Sequence, residues 1–527
     1  MSSVFALGIA ESSGHALTVD GLLRRAGEVD PATVAIVDGE QRISFAQLGE
    51  AANRFASGLA DLGVSPGDRV AIWAPNCIEW VVSFFGAVRV GAVVVPLNTG
   101  LMSDEVTYQI GQSGATVLIA ATDHHSRNLA LEAIAGLSEV PGATVISIGA
   151  TVPEGTIAWE KVAEATGPGL DHVPSPDDPL MMLYTSGTTG APKGAVHTHR
   201  CLESLLTAVK RMQLTERDCV VLYLPLFHVY GLMAGLIMMT AARARIVLMG
   251  QFDSTKSLEL MESEKASIVY GIPTTYIDQL GHPGIADRDL SAVRLSITPF
   301  PRDLVDRVST RFGKCLNTFG MTETASMAFL PALDDPEEIA VGTVGRPLDG
   351  LEVRIVDPVT GDQVAEGVAG SLQLRGPQVL SHYHERPDAT EAAFGADGWF
   401  KTGDIARLDA GGNLTFVGRS GDHFKVGGEF VDPVDVEAAL QSHPAVERAA
   451  VLGVPDDRLG SVAHAWVKLR AGTGVDSTDA LSEELREHAR DRLAFFKRPR
   501  SIHFVSELPV TASGKVQKFR LKETLPR

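Results

Sequence analysis

The sequence predicts an α/β protein with a large N-terminal domain of stacked mixed and parallel sheets with helices, and a small mobile α+β C-terminal domain. Three observations carry this. Short apolar runs, RVAIWAP, AVVVPL, ATVLIAA, ATVISIG, ARIVLMG and ASIVYGIP, alternate with helical stretches. At 527 residues the chain exceeds what one hydrophobic core organises. After about residue 418 its texture changes to a unit of roughly a hundred residues, a plausible domain size. The expected boundaries are 1–418, a hinge at 419–422, and 423–527.

Taken in order, SFAQLGEAANRFASGLADLG (44–63) has the apolar spacing of an amphipathic helix. VVSFFGAVRVGAVVVPL (81–97) is the most apolar stretch, but it contains Arg89 and two glycines and ends at a proline. It reads as a buried helix running into a buried strand rather than a membrane span. DHVPSPDDPL (171–180), rich in proline and aspartate, is a connector ahead of a strand at MMLY. VEAALQSHPAVERAAVLGVPD and ELREHARDRLAFFKRPRSIHFVSEL form the compact C-terminal unit. Before it, FVGRSGDHFKVGGEFVDP carries glycines at 418, 421, 427 and 428, the composition of a moving junction. The chain has no internal repeat and no low-complexity tract.

Composition narrows the function. With 45% hydrophobic and 21% charged residues the chain is globular. A net charge of −19 argues against a general nucleic-acid or anionic-membrane surface, which needs a positive field, yet leaves room for a locally basic nucleotide pocket. Four scattered cysteines, Cys77, Cys201, Cys219 and Cys315, offer no C-x-x-C pair and fit reduced thiols in a cytosolic protein. The N-terminus lacks a basic n-region, so the expected location is cytoplasmic, without stable membrane insertion.

Four segments carry candidate chemistry. YTSGTTGAPKG (184–194) holds three glycines, three threonines, a serine and a lysine. Glycines let backbone N–H groups converge, hydroxyls donate further hydrogen bonds, and Lys193 adds a point charge, a composition that suits phosphate. Its spacing differs from the Walker loop, and such clusters are also ordinary turns. In LNTFGMTET (316–324), Phe319 could stack on a base and Glu323 could hold the magnesium that accompanies ATP, or they are a core phenylalanine and a surface glutamate. In GWFKTGD (398–404) and GR (418–419), Asp404 and Arg419 suit sugar hydroxyls, although aspartate in T-G-D is also a common turn residue. PVTASGK (509–515) delivers Lys515 close to the C-terminus, where a lysine is ordinarily a solvated surface charge.

Their order says more than any one of them. YTSGTTGAPKG, LPLFHVYG (224–231), FGMTE, TGD, GR and PVTASGK together resemble the adenylate-forming superfamily, in particular its acyl-CoA synthetases that act on fatty or aromatic acids. The likeness runs from LLRRAG (22–27) to QKFR (517–520) and includes GVSPGDRVAI (63–72), GTVGRP (342–347) and FKVGGEFVDPVDVE (424–437). It implies an AMP-forming acid–thiol ligase using ATP, Mg²⁺ and coenzyme A. The acid is joined to AMP with release of pyrophosphate, and a thiol then displaces AMP. By similarity, Thr185, Ser186, Gly187, Thr188, Thr189, Gly190 and Lys193 would hold the departing phosphates. Thr322 would engage the α-phosphate, and Glu323 with Thr185 the magnesium. Phe319 and Gly320 would meet adenine, and Asp404 and Arg419 the ribose. Lys515 would bridge the carboxylate and the α-phosphate oxygen, as a compact point charge can. Lys425, Gly427 and Gly428 would border the thiol path after the C-terminal domain swings. The acyl pocket would draw on Phe227, His228, Val229, Tyr230, Gly271, Thr274, Thr275, Thr298, Gly320 and Ser326, with His228 also facing the thiol tunnel. His228 equally reads as a satisfied buried histidine.

Three departures from the family pattern stand out. RLSITPFPRDL (294–304) is about three residues short of a usual glycine-alanine stretch, and its two prolines remove two N–H donors. Gly421 stands where a charged hinge residue is usual, and Phe319 where tyrosine is frequent. With no carboxylate among Phe227, His228, Val229 and Tyr230, the expected substrate is an apolar fatty, cyclic or aromatic acid. The alternatives are an enzyme that stops at acyl-AMP or uses a carrier-protein acceptor, and a catalytically silent relative that binds acyl groups or nucleotide. A homodimer and acetylation of Lys515 by a lysine acetyltransferase are compatible with the same reading.

Overall fold

The computed structural model describes residues 16–137, 143–167, 172–185, 191–298, 302–358, 360–419, 424–431, 433–470 and 479–509, with 516, 518 and 521. All six apolar runs are strands: Arg69–Trp73, Val93–Pro96, Val117–Ala121, Thr144–Ile148, Arg245–Leu248 and Ile268–Tyr270. The first four lie in an eight-stranded sheet, in spatial order His382–Tyr383, Lys193–Thr198, Pro179–Thr185, Val93–Pro96, Arg69–Trp73, Val117–Ala121, Thr144–Ile148, Ile157–Ala158. From Pro179–Thr185 onward the recorded pairings are parallel. Their side chains are buried almost without interruption, as expected of strands covered on both faces.

A second, seven-stranded sheet contains Lys314–Asn317, Leu295–Thr298, Ile268–Tyr270, Cys219–Leu222, Arg245–Leu248, Val34–Asp38 and Gln41–Ser44, parallel except for the last pair. Smaller sheets follow: a three-stranded one around Phe319–Met321 and Ser326–Leu330, and a four-stranded one around Phe400–Leu408. By compactness the chain divides into one unit of 1–99, 103–184 and 194–418, and another of 100–102, 185–193 and 419–527. The second is α+β: helices Pro433–Gln441 and Asp479–Arg490 pack on a five-stranded sheet over a core that includes Val431, Leu440, Val451, Val467 and Leu485. No helix among the described residues is long and apolar enough to cross a membrane.

Local chemistry explains the element ends. The amphipathic helix spans Phe45–Asp61. Ser44 accepts from the Gln47 backbone N–H while the Gln47 side chain accepts from that of Ser44, a reciprocal capping box. The apolar stretch at 81–97 is the helix Ile78–Arg89 followed by the strand Val93–Pro96. Arg89 within it is 3% exposed and donates through Nε to Asp20 at 2.6 Å and through Nη1 to the Gly49 carbonyl at 2.6 Å. Arg24 reaches the other Asp20 oxygen, also at 2.6 Å. One buried guanidinium, paired with Asp20, therefore ties the helices Val19–Val29, Phe45–Asp61 and Ile78–Arg89 together.

Beyond the strand Lys193–Thr198, the buried His199 accepts through Nδ1 from the Val19 N–H at 3.1 Å. Burial lowers its pKa to about 4 from 6.5, against the upward pull of Asp178 and Asp20 and with a further downward push from His172. An unfolded histidine takes a proton near 6.5 while the folded ring resists it until about 4. The unfolded state binds more protons in that window, so this contribution to stability is complete above pH 6.5 and is lost as pH falls toward 4. Urea midpoints at pH 7.5, 5.5 and 4.5 should fall progressively, and His199→Gln should flatten the slope. An unchanged slope in that variant would refute the assignment.

Candidate active site

The three-stranded sheet presents the turn that carries Thr322 and Glu323. Phe319–Met321 and Ser326–Leu330 run antiparallel, joined by a single 3₁₀ turn at Thr322–Thr324. Ala325 and Ser326 follow at φ +48° and +91°, left-handed backbone in non-glycine residues. Such strain persists only where surrounding contacts over-determine it. Here those contacts are visible. The fully buried Thr324 hydroxyl accepts from the Met321 N–H at 3.0 Å and lies 3.0 Å from the Ser326 carbonyl. Gln378 Nε2 donates to the Thr324 carbonyl at 2.6 Å and also to that of Met327. The Leu380 N–H donates to the Glu323 carbonyl at 2.8 Å.

Two side chains complete the grip. His197, 1% exposed, donates from Nε2 to the Thr322 carbonyl at 2.8 Å. A carbonyl only accepts, so Nε2 carries the proton; the ring is neutral, its pKa lowered to about 4 by burial. Its Nδ1 is buried and has no hydrogen-bond partner among the described residues. The Tyr383 hydroxyl donates to Glu323 Oε1 at 3.0 Å. Burial and the neighbouring Glu323 charge push the Tyr383 phenol well above its usual range.

Phe319 packs edge-on against Phe329, with centroids 5.9 Å apart, and at 6.0 Å and 30° against Phe416, which is 44% exposed. It remains partly exposed. Gly320 has a steric reason: a Cβ there would lie 1.8 Å from the Ser326 carbonyl oxygen. Gly320→Ala must therefore spread the strand pair. A loss of about 1–3 kcal/mol is expected from such overpacking, together with loss of adenylate formation, measured by urea denaturation and pyrophosphate release. Wild-type stability and activity in this variant would contradict the geometry.

The segment LPLFHVYG is shaped by Asn76, whose Nδ2 donates to the Leu222 and Leu224 carbonyls at 3.2 and 2.9 Å while Oδ1 accepts from the Leu226 N–H at 2.8 Å. Phe227, His228, Val229 and Tyr230 follow, each partly exposed, and Tyr230 opens a π-helix that runs to Met238. A π-helix of this length is rare, and π-helical turns recur at functional sites. Gly231 is required there, since a Cβ would lie 2.2 Å from the Pro225 carbonyl oxygen. The Tyr230 and Tyr276 hydroxyls both donate to the Ile297 carbonyl, at 3.1 Å each. Gly271 lies against the Tyr276 ring, which a Cβ would approach to 2.4 Å. The Thr275 hydroxyl caps the helix Pro273–Leu280, accepting from the Ile272 N–H at 3.0 Å. Thr274 and Ser326 are buried. So is Thr298, which ends the strand Leu295–Thr298 and whose hydroxyl has no hydrogen-bond partner among the described residues.

Asp404 is 2% exposed, in the strand Phe400–Leu408 immediately after Gly403 at φ +75°. Its N–H donates to the Thr402 hydroxyl at 3.0 Å. Arg419 ends the strand Leu414–Arg419, and its side chain lies outside the described residues. Also outside them are Ser186, Gly187, Thr188, Thr189, Gly190, Lys515, the hinge positions 420–422 with Gly421, and Pro299, Phe300 and Pro301.

In the second unit, Thr185 ends the strand Pro179–Thr185 and Lys193 begins Lys193–Thr198. Lys425 is exposed in Phe424–Val426, which pairs antiparallel with Glu429–Val431. The two residues between, Gly427 and Gly428, have φ +58° and +90°. A two-residue hairpin of type I′ requires positive φ at both central positions, which accounts for this glycine pair.

His197, Tyr383, Gln378 and Asn76 carry no sequence signal of their own. Each acts on a segment at least 50 residues away, and no short motif records such a contact.

Comparison with known proteins agrees with this geometry. The profile of the AMP-binding enzymes matches residues 23–384, and that of the AMP-binding enzyme C-terminal domain matches 435–515. The chain belongs to the AMP-binding enzymes, the adenylate-forming superfamily, in its acyl-CoA synthetase branch of acid–thiol ligases. It is 36% identical to a 3-(7a-methyl-1,5-dioxo-octahydro-1H-inden-4-yl)propanoyl:CoA ligase of Mycobacterium tuberculosis, over 96% of this chain and 98% of that one. It is 34% identical to a feruloyl-CoA synthase of an Amycolatopsis species, over 94% and 96%. Among solved structures, the amide bond synthetase McbA of Marinactinospora thermotolerans matches with a TM-score of 0.84 and 26% identity, over 96% and 99%.

Proposed function

We propose that the chain activates an apolar fatty, cyclic or aromatic acid as its acyl-adenylate and transfers the acyl group to coenzyme A. The observation that carries this reading is the Thr322–Glu323 turn, followed by left-handed Ala325 and Ser326 and held in place by Gln378, Leu380, His197 and Tyr383. A protein keeps backbone strain beside a polar, partly exposed turn where charge must be met in fixed geometry.

In the first step a carboxylate oxygen of the acid bonds to the α-phosphorus of ATP, and the bond to the bridging oxygen breaks to release pyrophosphate. Thr185 through Lys193 receive the departing phosphates, and Lys515 neutralises charge at the new bond. Asp404 and Arg419 hold the ribose, and Phe319 stacks on adenine. Phosphoryl transfer of this kind is accelerated by positioning and electrostatics. In the second step the thiol sulfur bonds to the acyl carbon and AMP leaves, after the C-terminal domain has turned about residues 419–422 to bring Lys425 and the 427–428 turn toward the reaction.

The residues present fit magnesium. Glu323 offers a carboxylate whose Oε1 is already oriented by a phenol, and hard cations of this kind take oxygen ligands. When bound, the ion offsets negative charge on the phosphate oxygens, with Glu323 and Thr185 as its protein ligands. The acid is read from the segment 227–230. It presents Phe227, Val229 and a Tyr230 hydroxyl already engaged by Ile297, with no carboxylate to hold an ammonium group. His228 borders both the acyl group and the thiol.

The similarity to an amide bond synthetase favours one second reading, an amine as acceptor of the acyl group. The deciding experiment is ATP-dependent pyrophosphate release over a panel of fatty, cyclic and aromatic acids, with coenzyme A, with simple amines, and with neither. Acyl-CoA as product supports the proposal and names the acid. An amide, or acyl-AMP alone, would overturn the thioester step, and silence with every acid would overturn the activity.

A further inference from the structure

The strand Lys193–Thr198 and the short strand His382–Tyr383 pair antiparallel at one margin of the eight-stranded sheet, with Tyr383 opposite Ala195. Directly opposed residues share a face of a sheet, as do residues two apart along one strand. The side chains of Tyr383 and His197 therefore emerge on the same face, and both reach the Thr322–Thr324 turn. They take different parts of it. His197 binds the backbone carbonyl of Thr322 at 2.8 Å, and Tyr383 binds the carboxylate of Glu323 at 3.0 Å. The backbone of the Tyr383 strand is itself anchored, because the Tyr383 N–H donates to the Thr390 hydroxyl at 3.0 Å and the Ser381 N–H to the Val196 carbonyl at 2.8 Å.

We infer that Tyr383 and His197 are positioning residues for nucleotide activation: Tyr383 selects the rotamer of Glu323, leaving Oε2 to the metal, and His197 sets the height of the turn that carries Thr322. The inference rests on Glu323 as a metal ligand. Both act through the turn: one on its backbone, the other on its carboxylate. A carboxylate ligand freed from its hydrogen-bond partner binds metal about 10–100-fold more weakly. His197 acts through the backbone, so any side chain that can donate to the Thr322 carbonyl substitutes for it in part.

The test uses the full-length chain and the variants Tyr383→Phe, His197→Leu, His197→Gln and Glu323→Gln. Calorimetric titration with Mn²⁺·ATP in the absence of acid gives binding without turnover. Half-maximal Mg²⁺ for pyrophosphate release, the melting temperature, and thiolysis of supplied acyl-AMP are measured alongside. Tyr383→Phe is expected to weaken Mn²⁺·ATP and to raise half-maximal Mg²⁺ by about tenfold, with melting temperature and thiolysis unchanged. Adding it to Glu323→Gln should weaken binding no further. His197→Leu should lower the rate of adenylation, and His197→Gln should recover part of it. If Glu323→Gln shifts the metal dependence and Tyr383→Phe does not, the positioning role is overturned while the metal reading stands. If Glu323→Gln leaves the metal dependence unmoved, the metal reading itself fails. If Tyr383→Phe depresses melting temperature and both half-reactions alike, Tyr383 is structural only.

Discussion

Replacing Lys515 by alanine is expected to lower acyl-adenylate formation by about 10²–10³-fold, the effect of removing one group that meets developing charge in the transition state. Thiolysis of supplied acyl-AMP should stay close to the wild-type rate. The asymmetry follows from the chemistry proposed. In the first step negative charge from the carboxylate and the α-phosphate converges where the new bond forms, and an ammonium group there offsets it. In the second step that bond is already made, and under the same proposal Lys515 would have left the reaction with the rest of its domain. Two assays decide: pyrophosphate release from acid and ATP, and acyl-CoA formation from synthetic acyl-AMP. Equal loss in both would remove Lys515 from its assigned step. A protein that merely bound nucleotide would retain its ATP affinity and show no activity to lose.

Arg89→Ala is expected to destabilise the protein by about 3–5 kcal/mol, because it leaves a buried carboxylate short of its main partner. Asp20 and Arg89 are 2% and 3% exposed, and the Arg89 guanidinium also serves the Gly49 carbonyl. Arg24 still reaches Asp20, but its side chain is 40% exposed and compensates weakly. Removing both charges together, as Asp20→Leu with Arg89→Met, should cost less than the single change, since hydrophobic replacement of a buried ion pair is often neutral. Chemical denaturation of the three proteins measures this. A single-variant cost below about 1 kcal/mol would show that water reaches the pair as it does at a surface. The arrangement also explains how an arginine can stand inside the most apolar stretch of the chain.

Much of this was legible without coordinates. The alternation of apolar runs with amphipathic stretches marked the parallel sheets, since strands covered on both faces are nearly uniformly apolar. Glu323 could be singled out as a candidate because its signal is local: a carboxylate beside a threonine, after an aromatic and a glycine, in order among other such segments. For Gly320 and the pair Gly427–Gly428 the position was legible and the steric demand was not. Nucleotide or thiol approach was the expectation. The folded chain supplies steric reasons, a backbone oxygen 1.8 Å from any Cβ at Gly320 and two successive positive φ angles in a hairpin. That the Thr275 hydroxyl caps a helix was equally outside the reach of the sequence.

Composition and order of motifs were thus enough for the class of reaction, because ligand-binding groups cluster in short segments whose residue types reflect what they hold. The support of those groups could not be read that way. His197 and Thr322 are 125 residues apart, Tyr383 and Glu323 are 60, and Arg89 and Asp20 are 69. Nothing local requires a histidine, a tyrosine or an arginine at those positions. Hydrogen bonds between distant segments depend on which strands become neighbours, and that neighbourhood is set by burying whole sheets rather than by any single residue. Chemistry is written in contiguous stretches of this chain, and the aim of its reactive groups emerges only once the sheets have closed around them.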